Sequence, residues 1–153
     1  MLFLLFQLDR DRYAIDARQV AEVLPLLAVK RLPQAPPAVR GTFSYHGASV
    51  PLIDLCQLAL DRPAHARLST RIILLHYPDS SGQSRLLGLL AEHVTETVNL
   101  APSEFQDSGV RLDDAPYLGR VASDARGLMQ WIEIDKLLPA EMRDLLSQPV
   151  ATA

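Results

Sequence analysis

The stretch that decides the fold of this chain is Leu2-Phe3-Leu4-Leu5-Phe6-Gln7-Leu8-Asp9-Arg10-Asp11-Arg12-Tyr13-Ala14-Ile15-Asp16. Its apolar residues run to Leu8, and the charged segment 9–12 follows at once. Beyond that segment, Tyr13 and Ile15 are spaced to share one face of an extended strand. The stretch therefore predicts a β-hairpin. It does not resemble a signal peptide, because no basic segment precedes the short apolar run.

Short apolar runs separated by turn residues continue along the rest of the chain, which is typical of an all-β fold built as small barrels or a sandwich. Val20, Val23 and Leu24 have helical spacing, so we expect a helical turn within 17–26, and a second one over 55–60. Pro51 lacks a backbone N–H, which predicts an edge strand or a bulge around it. With the two hairpin strands, the predicted total is ten, the others covering 29–32, 42–45, 48–54, 71–77, 85–91, 94–100, 117–122 and 128–134.

The last part of the chain has a helical pattern instead. Leu138, Met142, Leu145 and Leu146 form one apolar stripe at helical spacing, and Pro139 lies near its start. The stripe predicts an amphipathic helix that packs against the protein's own strands. A helix that binds a partner is the alternative.

Composition limits the classes of function. The 153 residues are 48% hydrophobic and 22% charged, which is typical of one globular core or two small fused lobes. A net charge of -3 with scattered basic residues does not favour nucleic-acid binding. No apolar segment approaches the roughly 20 residues of a membrane-spanning helix. The single cysteine, Cys56, cannot form an internal disulfide, so we expect a soluble cytoplasmic protein.

The sequence contains no constellation that indicates catalysis, a cofactor or a metal. Nucleotide-binding glycine loops are absent, and the four histidines are not spaced as local metal ligands. Ser44 and His46 would share a face on a strand, but nothing around them resembles a nucleophile elbow. Cys56 lies in an apolar setting and is interpreted as a buried, inert thiol. We therefore predict a non-enzymatic protein that acts through its surfaces.

Several segments, in order, resemble the CheW-like family of chemosensory coupling proteins. Each is weak alone, but together they extend from about residue 2 to residue 146. The most specific is Gly47-Ala48-Ser49-Val50-Pro51-Leu52-Ile53-Asp54-Leu55, which is similar to the family's Gly-x-x-x-Pro-x-Ile/Val-Asp-Leu signature. The others are 3–8, 13–16, 20–23, 32–33, 36–41, 87–94, 117–119 and 132–138.

The resemblance implies two five-stranded, SH3-like barrels around a shared hydrophobic core, with a short C-terminal helix. It further implies one domain over 1–147, with lobes of about 1–66 and 67–138 whose end strands can exchange, and a tail over 148–153. The implied role is an adaptor between a CheA-type histidine kinase and the cytoplasmic tip of a methyl-accepting chemoreceptor. Kinase contacts are not assigned to residues. The receptor contacts carried over by the resemblance are Ala17, Val20, Glu22, Gly41, His46 and Ile72.

The clearest departure from the family pattern is His46. It stands in Ser44-Tyr45-His46-Gly47, where the family commonly has Asn-Leu-Arg-Gly. Histidine cannot reproduce the permanent charge and planar donors of arginine, which indicates a divergent receptor and an alternative, WspB-like chemosensory pathway. Two other classes of protein stay open on the residues alone. One is a small-ligand-binding β-barrel, and the other is a fragment of a CheA- or CheV-like protein.

Overall fold

β-Strands dominate the computed structural model, which describes residues 1–79 and 81–146. Two short helices, α1 (Leu55–Leu60) and α2 (Ala140–Leu146), accompany them. Within the described residues, no helix is long and apolar enough to span a bilayer. The strands are β1 (Leu2–Leu8), β2 (Asp11–Asp16), β3 (Val20–Leu24), β4 (Val39–Tyr45), β5 (Ala48–Asp54), β6 (Arg71–Pro78), β7 (Ser84–Ala91), β8 (Glu96–Asn99), β9 (Leu118–Asp124) and β10 (Gly127–Ile132).

These strands form two five-stranded sheets, which we call the first and second barrels. The first barrel has the strand order β8-β1-β2-β10-β9, and the second has the order β3-β6-β7-β5-β4. In the second, Lys30 and Thr42 exchange backbone hydrogen bonds of 2.8 and 2.9 Å, so the segment that follows edge strand β3 reaches the opposite edge strand β4. The predicted all-β class with two five-stranded subdomains is confirmed.

The boundary between the barrels differs from the predicted one. Strands on both sides of residue 66 belong to the second barrel, which uses the segment 20–91 without interruption. The chain enters this barrel through a single 3₁₀ turn, Ala17–Gln19, and returns to the first barrel with β8. The predicted boundary between the lobes at residues 66 and 67 is therefore wrong, because the order of strands in the sequence does not reveal which strands pair. The single-domain extent of 1–147 stays a prediction, and the tail at 148–153 lies outside the described residues.

Burial on both faces explains why several strands are almost continuously apolar. In β1, Phe3 and Leu5 face the core of the first barrel, whereas Leu4, Phe6 and Leu8 face a third core that both barrels share. Side chains alternate across a strand, so one strand serves both cores. Strand β6 does the same for the second barrel: the residues that face inward are Ile72 and Leu74, and those that face the shared core are Ile73, Leu75 and Tyr77.

An ionic cluster joins the two barrels at the edge of the shared core. Arg62 donates hydrogen bonds to both carboxylate oxygens of Glu92, at 2.8 and 3.1 Å, and to Asp9 Oδ1 at 2.8 Å. Asp9 lies in the turn between β1 and β2, whereas Arg62 follows α1 and Glu92 follows β7 of the second barrel. The backbone N–H of Gln7 also donates to the carbonyl of Glu92. The Arg62 guanidinium holds the pKa of the nearly buried Glu92 carboxyl at about 2.

Three local predictions need correction. The predicted helix within 17–26 is limited to the 3₁₀ turn, where the Asp16 side chain accepts a hydrogen bond from the Arg18 N–H, and Val20 begins a strand. The predicted strand at 29–32 is reduced to the bridge between Lys30 and Thr42. Pro51 lies on an interior strand, but at a point that precedes the pairing of β5 with β7, so no ladder donor is lost there.

The C-terminal stripe packs largely on the protein itself. Leu138 and Met142 are buried in the shared core, and Leu146 packs against it. Leu145 is 54% exposed, so it does not belong to the buried stripe. The expectation of a helix docked on the protein's own strands is confirmed for Met142 and Leu146, whereas the buried Leu138 precedes α2.

Candidate protein-binding surface

The hairpin between β4 and β5 carries His46 at its tip. Residues 46 and 47 form a two-residue turn, with φ of 48° at His46 and 82° at Gly47. Positive φ at both central positions is the signature of a type I′ turn, whose twist matches that of the flanking strands. Glycine accepts this conformation freely, and histidine is among the side chains that tolerate it. His46 is therefore held out into solvent, beyond the end of β4.

Glu22 and His46 are brought together through a third residue, Tyr45. The Tyr45 hydroxyl donates a 2.6 Å hydrogen bond to Glu22 Oε2, which joins edge strand β3 to edge strand β4. The hydrogen bond to the Glu22 carboxylate raises the pKa of Tyr45 above its usual value. The His46 ring stands edge-on to Tyr45, with 4.3 Å between ring centroids. We call Glu22, Tyr45 and His46 the rim cluster.

Ala17 and Val20 lie where the chain crosses from one barrel to the other. Ala17 begins the 3₁₀ turn after β2, and Val20 is the first residue of β3. Both side chains are half-buried, and Val20 packs against the shared core. A register shift between Val20 and Glu22 then places Glu22 in an exposed position. A partner that touches Ala17 and Val20 would therefore lie against the junction of the barrels.

Gly41 and Ile72 do not offer side chains to a partner, which corrects two of the predicted contacts. Ile72 is 0% exposed in the core of the second barrel. Gly41 is buried with φ of 137°, and a Cβ at this position would overlap the backbone carbonyl of Lys30. Gly41 thus permits the close approach of the segment after β3 to β4, which is the structural alternative to a binding role.

Sequence reasoning missed Tyr45, the residue that connects the rim cluster. The signal was present, because Tyr45 directly precedes the turn residues His46 and Gly47. In a two-residue hairpin, that position ends the strand, opposite Ala48 in this register. The contact with Glu22 depends on the curvature of the whole sheet, which no local pattern records.

The residues that the sequence offered for chemistry are not arranged for it in the described parts of the chain. Ser44 lies on β4, but His46 lies in the turn with positive φ, so the shared strand face assumed for this pair does not exist. No cluster of three or more His, Cys, Asp or Glu residues that could hold a metal occurs among the described residues. Cys56 is fully buried, as predicted, and burial raises the pKa of its thiol to about 12; that the thiol is inert stays a prediction.

The barrel interiors are filled by side chains. Phe3 packs against Phe105 and Trp131 in the first barrel, with ring centroids 5.1 and 4.9 Å away. In the second, Phe43 lies so close to Gly88 that a Cβ there would be 2.5 Å from its ring. A cleft of about 1170 Å³ exists, but it is open and lies between the loop 107–113 and the outside of β9 and β10. This packing does not favour a ligand-holding barrel.

The two barrels have packed interiors, so the features that this fold offers lie on its surface and at the junction of the barrels. In the family comparison, the model of the CheW-like domain matches residues 2–142. The chain therefore belongs to the CheW-like domain family, and it is a scaffold protein of chemotaxis-type signalling and not an enzyme.

Individual relatives support this assignment. The chain is 26% identical over 142 residues to the chemotaxis protein CheW of Klebsiella aerogenes, covering 91% of this chain and 82% of that protein. It also resembles the crystal structure of the scaffolding protein TtCheW from Thermoanaerobacter tengcongensis. That match has a TM-score of 0.75 and 21% identity, and it covers 88% of this chain and 84% of the other. At this identity the structural match supports the fold alone.

Proposed function

We propose that this protein is a cytoplasmic adaptor that couples a CheA-type histidine kinase to methyl-accepting chemoreceptors. Membership of the CheW-like family supports the role of scaffold. The observation that carries the receptor half is the rim cluster, in which Glu22, Tyr45 and His46 form one exposed group on the second barrel.

The receptor tip would contact the rim cluster and the junction of the barrels together. Ala17 and Val20 supply half-buried apolar surface at the junction, while Glu22 and His46 supply polar groups that fix the register of a bound helix. Gly41 and Ile72 support this surface from beneath by holding the backbone and filling the core. The kinase would bind elsewhere, at a site we do not assign to residues.

His46 gives the proposed receptor site its own specificity. An arginine at this position would offer a planar fork of five N–H donors, whereas the histidine ring offers fewer donors. In this chain the Glu22 carboxylate accepts a hydrogen bond from the Tyr45 hydroxyl instead. We therefore assign the adaptor to an alternative chemosensory pathway with its own receptor.

The proposal is tested by reconstituting the complex from the purified adaptor, a CheA-type kinase and a receptor cytoplasmic fragment. We expect all three to co-elute, with the adaptor required for the kinase to join the receptor. Binding to neither partner would refute the adaptor role. Receptors and kinases encoded near this chain's gene are the appropriate partners for the assay.

A charge reversal with a matched control tests the receptor surface. Glu22→Lys removes the acceptor of Tyr45 on edge strand β3, and we expect it to weaken receptor binding about tenfold or more while kinase binding is unchanged. Glu96→Lys is the control, because Glu96 is an exposed acidic residue on the edge strand β8 of the other barrel. Equal losses for both variants would show that the rim cluster is not the receptor site.

His46→Arg should change the preference among receptors, and an unchanged preference would contradict the role given to His46.

A further inference from the structure

The segment between Glu22 and Asp54 contains no acidic residue. It holds Lys30, Arg31 and Arg40, together with His46. The whole chain has 15 basic and 18 acidic residues, so the rest of it holds 12 basic and 18 acidic residues. One continuous part of an otherwise acidic protein is therefore positive.

Three leucines of the same segment are exposed. Leu26 is 42%, Leu27 38% and Leu32 43% exposed, and they lie in the irregular connector between β3 and β4. The connector is nevertheless held in place, because Lys30 and Thr42 exchange two backbone hydrogen bonds. The leucines are thus presented on a fixed segment, which lowers the entropy cost of binding.

A cleft adjoins this connector. It has a volume of about 570 Å³ and is formed by residues 28–30 on one side and by 42–44 and 47–49 of the β4–β5 hairpin on the other. No carboxylate lines it, and Lys30 does. Among the described residues, neither Lys30 nor Arg31 has an acidic side chain within ion-pair distance, whereas Arg40 lies 3.8 Å from the buried Asp54. We call residues 26–32 and this cleft the connector face.

We propose that the connector face binds an acidic, amphipathic helical segment of a partner protein. The leucines would contact the apolar stripe of that segment, and Lys30 and Arg31 would pair with carboxylates beside it. Charge complementarity selects this occupant, because a basic segment would be repelled and a neutral one would leave both cations without partners. The inference goes beyond the proposed function, since it concerns a surface not assigned to receptor or kinase.

The test uses two synthetic peptides of about 18 residues, which is five helical turns. Both carry leucines at helical spacing, flanked in one by glutamates and in the other by lysines. Binding to the intact protein is followed by amide chemical shifts in NMR. We expect the glutamate peptide to shift amides at 26–32, 42–44 and 47–49, with affinity falling as salt is raised. Equal binding of the lysine peptide, shifts confined to other regions, or no binding would overturn the proposal.

Variants locate the site. The double charge reversal Lys30→Glu with Arg31→Glu should weaken binding of the glutamate peptide about tenfold or more. The matched control is Arg10→Glu with Arg67→Glu, which reverses two exposed cations outside the connector face and should leave binding unchanged. Thermal melts of both double variants verify that they are folded. Equal effects of the two double variants, or binding to anionic vesicles that matches binding to the peptide, would overturn the assignment. Reconstitution with kinase and receptor stays an independent test of the adaptor role.

Discussion

The two barrels each contain five strands, but they are assembled from the chain in different ways. The second barrel uses one continuous segment, 20–91. The first combines β1 and β2 with β8, β9 and β10, and its central link is the parallel pairing of Ala14 with Trp131. The second barrel therefore depends on contacts within one part of the chain, whereas the first depends on long-range pairing. The candidate surface lies on the more local barrel.

The barrels also differ in what joins their edge strands. In the first barrel, Arg126 in the β9–β10 turn donates a 2.7 Å hydrogen bond to Glu96 on edge strand β8. In the second, Tyr45 donates to Glu22. Both links are exposed and both involve a two-residue hairpin turn, but the turn of the second barrel carries a histidine. Each barrel thus has an exposed side-chain link at its edge. In the second barrel this link is part of a candidate binding site, and in the first it is not.

The largest expected effect comes from breaking the first barrel from within. Phe3→Ala removes a fully buried ring that packs against both Phe105 and Trp131, and it should lower the free energy of unfolding by about 3–5 kcal/mol. Trp131 is the single tryptophan, so its fluorescence reports the first barrel while circular dichroism reports both. We expect both signals to shift together in denaturant, because the shared core couples the barrels. A circular-dichroism transition left at the wild-type midpoint would contradict this coupling.

A smaller but still large effect is expected where the barrels are joined. Glu92→Gln leaves Arg62 without its nearly buried partner and should cost on the order of 3 kcal/mol. The pKa of Glu92 is lowered to about 2 from an ordinary 4.5, so its carboxylate stabilises the fold at pH values above about 4.5. That contribution is lost as the pH falls from 4.5 toward 2. The stability difference between wild type and variant, measured by denaturant titration, should shrink over that range.

The control for this prediction is Glu141→Gln, an exposed acidic residue on α2. We expect it to leave both the stability and its dependence on pH close to those of the wild type. A difference between wild type and Glu92→Gln that stayed constant from pH 7 to pH 2 would show that ionisation of Glu92 does not contribute.

Loss of the hydrogen bond between Tyr45 and Glu22 in the second barrel should change the pKa of Tyr45 more than it changes the stability of the protein. Glu22→Gln removes the carboxylate that accepts from Tyr45, so the raised pKa of Tyr45 should fall toward its ordinary value. Carbon NMR of the tyrosine rings measures this shift, and the Tyr45→Phe variant identifies the resonance. An unchanged Tyr45 pKa would mean that the hydrogen bond does not persist in solution.

The smallest effect is expected in the first barrel's link. Arg126 and Glu96 are 60% and 43% exposed, and ion pairs with such exposure contribute little. Arg126→Ala should leave the unfolding midpoint within experimental error and should not affect receptor binding. A clear fall in the unfolding midpoint of Arg126→Ala would contradict this prediction. It would show that the exposed ion pair between Arg126 and Glu96 contributes to the stability of the first barrel.

Much of the fold could be predicted from the sequence, because strands buried on both faces produce unmistakable apolar runs such as Leu2–Leu8 and Ser84–Ala91. The sheet to which each strand belongs could not be predicted, because the pairing of strands that are distant in sequence depends on tertiary packing. Val20, Val23 and Leu24 fit a helix as well as a twisted edge strand, so their spacing was misleading. At the site, Glu22 and His46 are exposed, as contact with a partner requires, and their receptor role stays a prediction. Ile72 is not exposed, and the sequence could not predict this, because an apolar strand residue gives no sign of whether it faces solvent or a core.

The parallel pairing of β2 with β10 has a consequence for synthesis of the protein. The second barrel is complete in sequence once residue 91 has left the ribosome, while β1 and β2, although made first, wait for residues 118–132 before their barrel can form. Until then the inward side chains Phe3 and Leu5 have no partners from Phe105 or Met129. These two strands are therefore protected later than the second barrel, although they are made before it, and chaperone capture or aggregation of unfinished chains would begin there.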